Sequence, residues 1–280
     1  MNIIEVPQWA MPADPNAREV PPISLLTLRF FRHIVRAYFR RHFRAVMVQH
    51  PDRLAAIEGP LIVYANHSSW WDPMVSILLA QMLLPERKHY APMDASALER
   101  YPILRKLGIF PVEMASPRGA AQFLRVSKAI LASGGVVWIT PQGRFADPRE
   151  TPLAFKPGLG ALAARTAAVT LLPLAIEYSF WDERLPEALL RFGAPIRIEP
   201  GIDTDTATKQ LEGALASAME ELKVASMLRD VNAFCVLLSG GRGTGGFYGL
   251  GRRVRALITR TPLPLDHTQR SELAHLKEKP

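Results

Sequence analysis

Residues 61–73 read LIVYANHSSWWDP. An unbroken apolar run, Gly59–Ala65, is followed by a small polar cluster, Asn66-His67-Ser68-Ser69. A run this short reads as a buried strand rather than a helix. Asp72-Pro73 then has the form of a helix start, an N-cap residue followed by proline at the first helical position. The helix is expected to run through about Leu84. His67 and Asp72 therefore fall at a strand-to-helix junction, where a sheet opens to solvent. A histidine there can serve as a general base, with a carboxylate fixing its tautomer and stabilising the imidazolium. Five residues of separation are wrong for one face of a continuous helix, but a loop at a helix start can fold the two side chains together. The plainer alternative is that His67 ends the strand and Asp72 only caps the helix, a contribution of about 1 kcal/mol.

On both sides of this junction the chain alternates strands and helices. His89–Ala91 reads as a short strand, Ser96–Leu107 as helix, and Gly108–Val112 as strand. Ala115–Ala132 reads as a helix closed by Gly134-Gly135, and Val136–Thr140 as a strong strand. A polar loop over Pro141–Pro152 leads to a helix at Gly158–Ala167 and a strand at Val169–Glu177. Strand pieces within Leu189–Ile198 and a helix over Thr206–Leu228 complete the pattern. It predicts an α/β fold: a single domain with a mostly buried mixed sheet flanked by helices.

The N-terminal third adds a different element. Residues 1–22 contain five prolines and read as an extended arm, without the charged and apolar succession of a signal peptide. Ile23–Gln49 contains no Gly or Pro and reads as one or two helices. Arg29, Arg32, Arg36, Arg40 and Arg44 recur at spacings of three and four, placing them on one stripe. Leu28, Phe31, Ile34, Val35 and Tyr38 gather opposite, with Phe43 off that face. An amphipathic helix with six arginines and no acid suits an anionic membrane surface, each basic residue being worth about 1 kcal/mol there. The alternative is a helix packed on the core with a solvated basic face. The expected layout is an arm at 1–22, a basic helical element at 23–50, the main domain at 51–230 and a Gly/Arg-rich segment at 231–280.

The composition narrows the function classes. The 280 residues carry 34 Lys and Arg against 26 Asp and Glu, a formal charge of +8. Such a balance favours an acidic partner. No nucleic-acid recognition motif is present, so no nucleic-acid partner is expected. A single cysteine, Cys235, excludes an internal disulfide and a cysteine-based zinc site. The seven histidines show no metal-ligand spacing, so no metal and no cofactor is expected. No apolar stretch reaches the roughly 20 residues that span a bilayer. Gly241, Gly243 and Gly246 spell G-x-G-x-x-G, but no strand–turn–helix context surrounds them, and a dinucleotide site is rejected. Ser68 and Ser69 lack the G-x-S-x-G turn of a serine nucleophile.

Asn66-His67-Ser68-Ser69-Trp70-Trp71-Asp72-Pro73 resembles the first sequence block of the glycerolipid acyltransferase family, typified by the lysophosphatidic acid acyltransferases. Three further blocks follow in the family's order. Gly108-Ile109-Phe110-Pro111-Val112 resembles the second and Pro141-Gln142-Gly143-Arg144 the third. Phe155-Lys156-Pro157-Gly158 is similar to the stretch after it, and Leu172-Pro173-Leu174-Ala175-Ile176 resembles the fourth. The resemblance covers roughly residues 55–200. It implies transfer of an acyl group from acyl-CoA or an acyl carrier protein, as co-substrate, to the hydroxyl of a lysophospholipid-like or other lipid acceptor. His67 would be the base and Asp72 its orienting partner. Gln142, Gly143, Arg144 and Lys156 would line the acceptor site. It further implies a peripheral membrane enzyme on the cytoplasmic face. The departures matter as well. Met114 stands where the family has arginine, Gln142 replaces a glutamate, and Arg144 lies one position early. Since a phosphate site gains from a guanidinium fork, an acceptor without a simple glycerol phosphate is expected as the alternative, such as an amino-lipid or a glycosylated carotenoid. A non-catalytic membrane-binding relative and a thioesterase are the remaining readings.

Overall fold

The computed structural model describes residues 19–114, 116–199 and 201–241. The arm before Glu19 and most of the Gly/Arg-rich segment, including the G-x-G-x-x-G glycines beyond Gly241, lie outside the described residues. Seven α-helices and eight strands are formed among the described residues: α1 (Leu25–His42), β1 (Ala45–Gln49), α2 (Pro51–Ala55), β2 (Leu61–Ala65), α3 (Asp72–Leu83), β3 (His89–Asp94), α4 (Ala95–Arg100), β4 (Ile109–Val112), α5 (Pro117–Ala132), β5 (Val136–Ile139), α6 (Gly158–Ala164), β6 (Thr170–Ser179), β7 (Glu187–Phe192), α7 (Thr204–Leu228) and β8 (Cys235–Ser239).

The strands form one mixed sheet in the order β4-β3-β5-β2-β6-β7-β1-β8. From β4 to β6 all neighbours are parallel. β7 runs antiparallel to β6, β1 parallel to β7, and β8 antiparallel to β1. The C-terminal ends of β2, β5 and β6 thus share one end of the sheet with the start of β1 and the end of β8. Both faces of the sheet are covered, which is why β2 is apolar throughout rather than alternating. Leu61, Val63 and Ala65 pack with Val35 and Phe39 of α1 and Val75, Leu78 and Leu79 of α3. Ile62 and Tyr64 point the other way, onto Phe123, Val126 and Ile130 of α5, Leu159 and Leu162 of α6, and Leu211 and Leu215 of α7.

Two expectations change. The helical reading of Ile23–Gln49 holds only to His42, because Ala45–Gln49 is a strand, every residue of it buried. It inserts between β7 and β8, so the sheet begins six residues inside the segment read as a separate helical element at 23–50. No Gly or Pro marks this change of structure; the Val46, Met47, Val48 run and its pairing partners impose it. Ser96–Leu107 is not one helix either. Pro102 disfavours helical backbone at Tyr101, so α4 stops at Arg100 and a short 3-10 turn covers Pro102–Lys106.

The arginine stripe of α1 is also divided. Val35 and Phe39 are buried, while Arg32 and Arg36 turn partly inward with their Nε atoms enclosed and unpartnered. Burial lowers the proton affinity of the Arg32 guanidinium. The outward face carries Leu25, Leu26, Phe30 and Ile34 beside Arg29, Arg40 and Arg41. No helix of the described residues is long and apolar enough to cross a membrane.

Candidate active site

At the end of β2 the backbone must leave the sheet without stranding its neighbour. Asn66 accomplishes this with its side chain. Its Nδ2 donates to the carbonyl of Ile176 at 2.9 Å, and its Oδ1 accepts from the Ile176 N–H at 2.8 Å. The amide therefore pairs both polar groups of β6 just past the last register pair, Ala65 with Leu174. The next residue, His67, is free to turn out of the sheet.

The His67 backbone is then held from a second direction, by the loop after β5. Its N–H donates to Gln142 Oε1 at 3.0 Å, and its carbonyl accepts from the Ala146 N–H at 2.8 Å. Gly143 makes the turn possible. It has φ +63°, and a Cβ there would lie 2.8 Å from Cε of Lys156. Phe145 is mostly exposed, with its ring centroid 4.4 Å from that of the imidazole.

His67 Nδ1 lies 2.8 Å from Asp72 Oδ2. With Asp72 ionised, Nδ1 carries the proton and Nε2 is left as an acceptor. Asp72 is 1% exposed, and its carboxylate is fully engaged. Oδ2 also accepts from the Ser69 N–H at 2.9 Å, and Oδ1 accepts from the Tyr178 hydroxyl at 2.6 Å. The expected capping role is not observed. Asp72 is the first residue of α3 rather than its N-cap, Trp71 precedes the helix without a side-chain cap, and no helix N–H takes the carboxylate. The spacing serves the histidine instead.

The other candidate residues separate into two groups. Gln142 and Gly143 adjoin His67 through its backbone, and Lys156 lies along Gly143. Gln142 is buried, its Oε1 occupied by the His67 N–H. Arg144 instead forks onto Glu150 and also donates to the Phe145 carbonyl at 3.2 Å. Arg149 is similarly taken by Asp147, which holds that carboxyl below its ordinary range. Lys156 has no ion-pair partner among the described residues. Met114, at the second-block arginine position, is exposed at the end of β4. No group of His, Cys, Asp and Glu among the described residues has the arrangement of a metal site.

Sequence reasoning missed Asn66 and Tyr178. Asn66 had a weak local signal, a polar amide at the end of an apolar run. Tyr178 lies 106 residues from Asp72, and no local pattern points to it.

His67, just past the C-terminal end of β2, and Asp72, at the start of α3, thus form a histidine–carboxylate pair of the kind that can assist proton transfer. The Acyltransferase family model matches residues 45–177, from the start of β1 to within β6. The stretch from β1 into β6 is thus similar to the acyltransferase family. Among solved structures, the chain is similar to the 1-acyl-sn-glycerophosphate (LPA) acyltransferase PlsC from Thermotoga maritima, with a TM-score of 0.51 and 19% identity over 70% of this chain and 80% of that one. The first finding agrees with the acyltransferase resemblance of the four sequence blocks, and the second shows a shared α/β fold. No curated protein sequence matches the chain significantly.

Proposed function

We propose that this protein transfers a fatty acyl group from an acyl thioester, acyl-CoA or an acylated carrier protein, to a hydroxyl of a lipid acceptor at a membrane surface. The observation that carries the reading is the 2.8 Å contact between His67 and a fully partnered, buried Asp72. His67 Nε2 removes the acceptor's hydroxyl proton as the oxygen attacks the thioester carbonyl. Collapse of the tetrahedral intermediate breaks the C–S bond, and the proton passes from His67 to the departing thiolate. Asp72 stabilises the imidazolium between these steps. General-base assistance of this kind is worth about 10²–10⁴ in rate. His67→Ala is expected to lower kcat by that factor, measured as CoA release that depends on acceptor. Wild-type turnover in this variant would overturn the reading.

The acceptor site favours a headgroup other than a simple glycerol phosphate. Gln142 Oε1 is taken by the His67 N–H, Arg144 is forked onto Glu150, and Met114 offers no donor to a phosphate. Lys156 is a cation beside the loop with no ion-pair partner among the described residues. Phe145, exposed against the imidazole, gives a flat apolar surface suited to a sugar ring, which supports a glycosylated lipid. A panel of lysophosphatidic acid, a lysolipid with another headgroup, an amino-lipid and a glycosylated carotenoid, with one acyl donor, tests this. A marked preference for lysophosphatidic acid sinks it. Free fatty acid released without any acceptor identifies a hydrolase instead.

The membrane surface is assigned to the outward face of α1. Trp70, more than half exposed, stacks edge-on to Tyr38 of α1 with centroids 5.6 Å apart. An indole that belongs to the His67 loop thus adjoins the face formed by Leu26, Phe30 and Ile34. Apolar side chains flanked by arginines match an interface-lying helix, which would place the cytoplasmic leaflet of a membrane beside the acceptor's entry.

A further inference from the structure

Asp72 uses one oxygen for His67 and has a second to be held. A carboxylate anchored through a single oxygen retains a soft rotation about its last side-chain bond, since torsions of that type are broad. In this protein the second oxygen is not left to water. Oδ1 accepts the Tyr178 hydroxyl at 2.6 Å. Tyr178 itself has little freedom. It stands near the end of β6, in register with Ala188 of β7, and its ring lies 5.0 Å from that of Trp71 and 5.9 Å from that of Phe43. Burial, with the neighbouring carboxylate, raises the proton affinity of the phenol above its ordinary value, so the hydroxyl stays a donor. The family model ends at residue 177, one position short of this tyrosine.

We propose that Tyr178 is a positioning residue, which locks the carboxylate of Asp72 through its second oxygen and so fixes the plane and tautomer in which His67 works. The proposal rests on the acyl-transfer reading above. Three contacts converge on the Asp72 carboxylate: the Ser69 N–H sets its height, Tyr178 sets its rotation, and His67 receives the result. The Tyr178 hydroxyl bonds Asp72 rather than His67, so its effect passes through Asp72. Removal of its hydroxyl leaves Oδ1 buried with no partner, and the carboxylate then turns to recover one at the expense of His67.

The test is a double-mutant cycle on Tyr178→Phe and Asp72→Asn, with CoA release from palmitoyl-CoA measured for the acceptor that turns over best. Tyr178→Phe is expected to lower kcat about tenfold while KM for donor and acceptor changes less than twofold. In the Asp72→Asn background the same change is expected to have no further effect, because the group through which it acts is gone. Wild-type kcat in Tyr178→Phe overturns the proposal. So does an equal loss in both backgrounds, which would place its action elsewhere. A second arm requires no turnover. The low-field Nδ1–H proton of His67, assigned by its absence in His67→Ala, is expected to broaden through faster solvent exchange in Tyr178→Phe. If the line is unchanged, Tyr178 does not govern the pair. His67→Ala separates the two levels: full activity there refutes the acyl-transfer mechanism, whereas its loss together with normal Tyr178→Phe behaviour refutes only the role of Tyr178.

Discussion

Asn66 performs no chemistry, yet the position of His67 depends on it. Its amide supplies one donor and one acceptor to Ile176 in a region closed to water. Asn66→Leu leaves both backbone groups unpaired, and a buried unsatisfied group costs about 1–3 kcal/mol. The variant is expected to lose about 2–4 kcal/mol in urea unfolding and to lose activity at temperatures where it remains folded. His89 gives a second prediction. One ring nitrogen accepts from Trp138 Nε1 at 3.1 Å and the other donates to the Leu84 carbonyl at 2.9 Å. Burial, offset in part by that carbonyl and reinforced by Arg32 and Arg87, lowers its pKa to about 4. The native state therefore refuses a proton that the unfolded chain accepts near pH 6.5. Above pH 6.5 this makes no difference. Between pH 6.5 and 4 stability falls with falling pH, by about 3 kcal/mol in all. The melting temperature of the wild type should drop through that window, and His89→Phe should flatten the drop.

Among the elements, β8 shows how a strand can be held at the edge of a sheet. Gly240 and Gly241 follow it, and their N–H groups donate to the carbonyls of Arg44 at 2.9 Å and Arg40 at 2.7 Å. The second of these carbonyls belongs to the last turn of α1. A Cβ at Gly240 would stand 1.8 Å from the Phe43 carbonyl oxygen, a backbone atom with no room to yield. Gly240→Ala should cost about 1–3 kcal/mol through overpacking, seen as a lower urea midpoint with an unchanged slope. These elements also mark the reach of sequence reasoning. The run Leu61–Ala65, the Asp72-Pro73 helix start and the His67–Asp72 spacing were legible because each signal is contained within a few residues. The strand at Ala45–Gln49 was not, since its backbone is paired by β7 and β8, far along the chain. For the same reason the bond from the His67 N–H to Gln142 Oε1 was out of reach of local pattern, the two residues being 75 apart. Of the α1 face read as apolar, Val35 went to the core while Ile34 stayed outside, beside Leu25, Leu26 and Phe30.

On the scale of the whole molecule, the five parallel strands deliver their C-terminal ends to one rim, and α1 lies along the sheet face that ends there. On the membrane-surface proposal, Phe30 and Leu26 on the outward face of α1 are expected to bind lipid. Replacement of both by serine should reduce co-sedimentation with anionic vesicles severalfold, with turnover of a soluble short-chain donor unchanged; neutral vesicles or high salt should weaken wild-type binding as well. The polarity of β8 carries a practical consequence. Because that strand runs toward the same rim, the polypeptide departs at Gly241 against the last turn of α1, a few residues from Arg40 and Arg41. If the proposed membrane contact through α1 holds, a fluorescent protein or affinity handle joined shortly after Gly241 would begin its path beside the last turn of α1 and compete with the vesicle. One inserted in the surface loop around Gly201, which connects β7 to α7 at the opposite end of the sheet, would leave that approach open.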